Sequence, residues 1–146
     1  MSQINILTKI AKEFKWEMSH RLTFHKGPCK NIHGHSYKLV IYLTGELDVN
    51  GLILDFYDIE IIVSPFIEKL DHAFLCSPDD KKTLEFLKEV NYKYFLSENF
   101  TTCEQMTHFF LKNLAPEFKK YSNIKKLGIR IYETSDAYAE IETEIN

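Results

Sequence analysis

Two runs of strict alternation constrain this chain more than any other feature. Phe14, Trp16, Met18 and His20 are separated by Lys15, Glu17 and Ser19. That is the period of a strand with one buried and one wet face. Tyr37, Leu39, Ile41 and Leu43 repeat the pattern, and His35 shares their parity. The spacing predicts a first strand over Lys9–His20 and a second from about His35 to Leu47, closed by an Asn50-Gly51 turn signal. Each run therefore carries a histidine on its apolar face.

The pattern then turns helical. Ile59, Ile62, Val63, Phe66, Ile67 and Leu70 recur at helical spacing between Asp55 and Leu70, with Pro65 expected to kink or interrupt the element. A second helix is expected over Thr102–Leu114, with Met106, Phe109, Phe110 and Leu114 inward. Residues 76–100 read as loop, apart from a short helix at Lys81–Val90. Two closing strands follow, Lys126–Thr134 and Tyr138–Ile145, joined at Ser135-Asp136. The order is ββααββ, an α+β chain with helices covering one face of an antiparallel sheet.

A length of 146 residues suits one domain spanning 1–146. There is no repeat, low-complexity tract or Pro/Gly/Ser linker. No run approaches the ~18 apolar residues of a membrane helix. Charges at Lys9, Lys12, Glu13, Lys15 and Glu17 break up any signal-peptide core. Three scattered cysteines, Cys29, Cys76 and Cys103, read as reduced thiols of a cytoplasmic protein. The net charge of −3 is unevenly spread: residues 1–45 hold seven Lys/Arg against two Glu. That patch suits steering of a small phosphorylated anion and is too weak for nucleic acid.

The chemistry concentrates at His33-Gly34-His35. Residues i and i+2 of an extended segment point to one side, so both imidazoles can reach one metal ion. Gly34 leaves room for close backbone approach. His20 arrives beside them if the first two strands pair, and three histidines with an open position describe a catalytic zinc site. The competing reading makes some of them satisfied core or surface histidines. Cys29 lies four residues before His33. It fits a fourth ligand closing a structural site, a thiolate near the metal, or an inert small hydrophobe. Asp71-His72 pairs a carboxylate with an imidazole, as a proton relay needs, but also fits an exposed polar pair after a helix. Glu104 fits a capping box with Thr101 as N-cap. Glu133 ends an inward-facing row of Leu127, Ile129 and Ile131, and a buried carboxylate needs a partner there.

Together these segments resemble the 6-pyruvoyltetrahydropterin synthase and 6-carboxytetrahydropterin synthase family. The resemblance is carried by Ser19-His20-Arg21-Leu22, by Cys29 through Tyr37 with its His33-Gly34-His35, and by Gly51–Phe56 leading to Leu70-Asp71-His72. Thr102-Cys103-Glu104 and Tyr132-Glu133-Thr134 complete it, in family order across about residues 10–145. Departures are Thr101 and Gln105 where the family usually has Pro and Asn, Ala73-Phe74 after the Asp-His pair, and a segment 77–98 that is longer than usual.

The resemblance implies a tunnelling fold (T-fold), a four-stranded antiparallel sheet with two helices on one face. It implies homo-oligomers, trimers stacked as hexamers, with active sites at subunit interfaces. It implies Zn²⁺ held by His20, His33 and His35, with Cys29 as catalytic acid/base and Asp71 and His72 as its relay. Glu133 would anchor the amino-pyrimidine edge of a pterin, with Glu104 and Thr102 in the same region. The implied substrate is 7,8-dihydroneopterin triphosphate. The three-residue spacing between Cys29 and His33 resembles the queuosine-pathway branch, which forms 6-carboxy-5,6,7,8-tetrahydropterin with release of acetaldehyde and triphosphate. The alternatives are the pyruvoyl-forming enzyme and a non-enzymatic module whose zinc is structural, held by Cys29 and the three histidines.

Overall fold

In a computed structural model, residues 4–146 are described; residues 1–3 of the expected domain lie outside the described residues. The first alternating run is β1, Thr8–His20, and the second is β2, His33–Gly45. They pair antiparallel in one unbroken register, with Phe14 opposite Leu39, Trp16 opposite Tyr37, Met18 opposite His35 and His20 opposite His33. The helical run becomes α1, Phe56–Leu70, capped by the Asp55 side chain, which accepts from Tyr57 N at 2.9 Å. Pro65 does not interrupt it. The proline sits on the exposed side of α1, where the carbonyl it leaves unpaired meets water.

The segment 76–100 holds the short helix expected at Lys81–Val90, but the flanks expected as loop form strands. The elements are β3 (Ala73–Cys76), α2 (Lys81–Glu89) and β4 (Tyr94–Leu96). Then come α3 (Cys103–Phe118), β5 (Ile124–Thr134) and β6 (Ala137–Glu144). The sheet therefore has six strands in the order β4-β3-β1-β2-β5-β6. Its β1, β2, β5 and β6 are the expected antiparallel set, but β3 joins β1, and β4 joins β3, in parallel. The four-stranded, two-helix expectation is corrected to a mixed six-stranded sheet with three α-helices.

Burial explains the difference. Ala73-Phe74-Leu75-Cys76 is buried at every position, so it shows no alternation to read. Leu75 joins the main core beneath α1 and α3, with Ile59, Val63, Leu70, Met106, Phe110, Leu114 and Phe118. Phe74 and Cys76 face the other way and pack on Leu84, Leu87 and Tyr94. Helix α2 therefore covers the opposite side of the sheet edge from α1 and α3. Elsewhere that opposite side is polar: Lys9 and Lys126 reach Glu142, and Arg130 Nε bonds Glu140 at 2.7 Å.

The main core closes on Trp16, stacked on Tyr37 at 5.3 Å between ring centres and tilted against Phe110 at 5.9 Å. Phe110 is fully buried. Phe110→Ala is expected to cost about 3–5 kcal/mol of stability, measured by urea unfolding of the metal-free chain.

Candidate metal centre

His20, His33 and His35 stand together where the β1–β2 ladder ends. Their ring centres lie 4.7–5.3 Å apart. One ligand atom from each comes within 4.8 Å of the others. Gly34 lets the strands close at this point, because a Cβ there would stand 3.2 Å from the Met18 carbonyl oxygen.

Backbone carbonyls set two of the tautomers. His20 Nδ1 donates to the Thr101 carbonyl at 2.7 Å, and His33 Nδ1 donates to the Asn31 carbonyl at 2.7 Å. Each bond leaves Nε2 as a bare lone pair. The Nε2 atoms of all three histidines are buried and without a hydrogen-bond partner. Three unpartnered ring nitrogens converging on one point are costly unless a cation takes them. This donor set fits a metal ion. Burial, together with the neighbouring imidazoles, pushes His20 down to about 4, against the bond to Thr101. Burial also lowers His35, against the pull of Glu133. Both imidazoles are thus neutral near pH 7, the form that binds metal.

Glu133 reaches the cluster. Its Oε1 lies 3.3 Å from His35 Nε2, a close contact without hydrogen-bond alignment. A register shift between Tyr132 and Thr134 places a bulge at this residue, a device that re-aims a side chain. The buried Tyr37 hydroxyl, also without a partner, lies under the same corner.

The other expected site residues are placed differently. Cys29 sits in a short 3₁₀ turn, Pro28–Lys30, half exposed and outside the histidine group. The structure therefore does not assemble a site of one cysteine and three histidines. Asp71 and His72 do bond each other, Nδ1 to Oδ1 at 2.9 Å, although adjacent in sequence. A positive φ of 58° at His72 makes that geometry possible. Asp71 Oδ1 also accepts from Glu17 N at 3.0 Å, and that bond leads in holding the carboxyl below its usual range. His72 N donates to Glu17 O, so the pair lies alongside β1, and neither residue belongs to the histidine group.

Near α3, the cap is Thr102, whose hydroxyl accepts from Gln105 N at 3.1 Å. The expected capping box of Thr101 and Glu104 is off by one residue, and Glu104 is exposed. Thr101 does something the sequence reading missed. Its carbonyl orients His20, and its hydroxyl donates to the Arg21 carbonyl at 2.9 Å. Backbone acceptors such as Thr101 and Asn31 leave no side-chain signature to find.

A sequence model described as 6-pyruvoyl tetrahydropterin synthase matches residues 9–144. The 6-carboxy-5,6,7,8-tetrahydropterin synthase of Haemophilus influenzae is 32% identical over 142 residues, covering 92% of this chain and 98% of that one. The protein of the same name from Rickettsia conorii is 24% identical over 138 residues, covering 92% and 100%. Among solved structures, 6-pyruvoyl tetrahydropterin synthase from Plasmodium vivax superposes with a TM-score of 0.77 at 17% identity, covering 97% of this chain and 100% of that one. An uncharacterized protein from Wolinella succinogenes gives 0.81 at 19% identity, covering 94% and 98%. At such identities the structures share the fold, which is the T-fold of these synthases.

Burial pushes the thiols of Cys76 and Cys103 up to about 11, whereas Cys29 is partly exposed. Native protein at pH 8 is expected to take one iodoacetamide label, at Cys29, and three after unfolding. Peptide mass mapping checks this.

Proposed function

Because the chain belongs to the 6-pyruvoyl tetrahydropterin synthase family, we propose that it is a zinc-dependent lyase that converts 7,8-dihydroneopterin triphosphate to 6-carboxy-5,6,7,8-tetrahydropterin, releasing acetaldehyde and triphosphate. The observation that carries this reading is the set of three unpartnered Nε2 atoms beside the Glu133 carboxylate. The queuosine-type product is favoured by the short Cys29-to-His33 spacing and by relatives named as the carboxy synthase that align over nearly their whole length.

His20, His33 and His35 would hold the zinc. When bound, it polarises the oxygen atoms of the substrate side chain and eases removal of a proton from the adjacent carbon. The residues do the rest. With His35 engaged as a ligand, the Glu133 carboxylate beside it would be left for a donor edge such as an amino-pyrimidine. Holding the ring there fixes which side-chain carbon meets the base, which is catalysis by orientation. Cys29 moves the proton. Thr102 and Glu104 belong to the pterin-binding region in this reading.

Asp71 and His72 act as the relay for Cys29 of a neighbouring copy. The exposure of the Asp71–His72 pair beside β1 supports that arrangement, as does the outer edge of β6, which pairs with no further strand among the described residues. Such an open edge invites pairing with another chain. The reading is of a cytoplasmic homo-oligomer with sites between subunits.

Mass spectrometry of products from zinc-loaded protein and 7,8-dihydroneopterin triphosphate tests the assignment. The carboxy-pterin with acetaldehyde is expected. A pyruvoyl-pterin would move the protein to the biopterin-type reaction, and no conversion would remove the substrate assignment. Cys29→Ala is expected to retain the metal and lose at least about a hundredfold in turnover. Mixing inactive Cys29→Ala and His72→Ala subunits is expected to restore activity, because some mixed interfaces carry both wild-type groups.

A further inference from the structure

The ligands His20 and His33 are opposite one another in the ladder, so the chain between them is a hairpin loop, residues 21–32, tied at both ends to the metal centre. Cys29 rides on this loop. A loop of that length, with three residues of 3₁₀ structure, has many conformations open to it unless it is clamped.

The clamps converge on Cys29. Leu22 N donates to the Cys29 carbonyl at 2.8 Å. Arg21 Nε donates to the next carbonyl, that of Lys30, at 2.8 Å. The other side of the same guanidinium reaches away from the loop, with Nη1 lying 2.9 Å from Asp80 Oδ2. Asp80 is 7% exposed and immediately precedes α2. Its neighbour Asp79 accepts from Thr23 Oγ1 at 2.7 Å and from Ser77 Oγ. The turn at Ser77–Asp80 therefore grips the loop at Arg21 and at Thr23.

A buried carboxylate facing a guanidinium is not needed for cohesion here, since an apolar pair of similar volume would serve as well or better. What the pair supplies is direction. The planar guanidinium donates to the Lys30 carbonyl through Nε and sets Nη1 against the Asp80 carboxylate as an ion pair without hydrogen-bond alignment, two positions that the single ammonium of a lysine cannot fill at once. We propose that Arg21 and Asp80 are positioning residues for Cys29, and that the Ser77–Asp80 turn holds the thiol in register with the metal centre. The proposal rests on Cys29 being the proton-transfer group.

The test compares zinc-loaded Asp80→Asn, Asp80→Glu and Arg21→Lys proteins with wild type. The readouts are kcat and KM for 7,8-dihydroneopterin triphosphate, bound metal, melting temperature, and the rate of Cys29 alkylation by iodoacetamide. Misplacing a reacting group by about 1 Å costs up to about a hundredfold in rate. Asp80→Asn is thus expected to lower kcat by about 10–100-fold with KM, metal content and melting temperature near wild type, and to change the Cys29 alkylation rate. Asp80→Glu should recover part of kcat. If Asp80→Asn does not fold, Arg21→Lys carries the same expectations.

Wild-type kcat and alkylation in Asp80→Asn would overturn the proposal. So would a fall in kcat that tracks lost metal or a lowered melting temperature, because the pair would then support only the fold. Cys29→Ala, run alongside, separates the two levels. An inactive Cys29→Ala with an unaffected Asp80→Asn removes the positioning pair alone. An active Cys29→Ala removes the catalytic reading of the thiol, and the positioning role with it.

Discussion

The register of β1 on β2 is the constraint on which the rest depends. Because side chains alternate with a period of two, a slip of one residue would turn Phe14, Trp16, Met18 and His20 out of the core together. The same ladder that buries Trp16 against Tyr37 also sets His20 opposite His33 and Met18 opposite His35. The apolar residues thus hold the polar ones in place. Three imidazoles are brought together at the cost of leaving three Nε2 atoms without partners, which a cation resolves.

Around this point the chain uses backbone more than side chains. The carbonyls of Thr101 and Asn31 choose the tautomers of His20 and His33. The start of α3 fixes Thr101, so the helix-covered side of the sheet is tied to the metal centre through one hydrogen bond. The polar side is separate in character, with paired charges on β1, β5 and β6 and the Asp71–His72 pair at its edge.

Much of this was legible in the residues. The long alternating runs and the helical stripe of α1 gave their elements to within about two residues at most ends. The histidine cluster followed from parity alone, since His20, His33 and His35 share the inward face. Glu133 was legible as a carboxylate in need of a partner, although His35 as that partner was not. In the connection from Ala73 to Leu96 the short helix was legible, but β3 was missed because a strand buried on both faces has no period. The cap of α3 was misplaced because Thr101 and Thr102 offer the same hydroxyl one residue apart. The Asp71–His72 contact depended on a positive φ that no spacing rule reveals. The grip of Asp79 and Asp80 on the Cys29 loop spans more than fifty residues, beyond any local pattern.

The claim at the centre is that three histidine Nε2 atoms make one metal site. Zinc content of purified protein, measured by elemental mass spectrometry on wild type and on His20→Ala, His33→Ala and His35→Ala, tests it most directly. One zinc per chain in the wild type, lost from each variant while Cys29→Ala keeps it, is the result expected. Zinc retained in full by any of the histidine variants, or lost with Cys29, would contradict it.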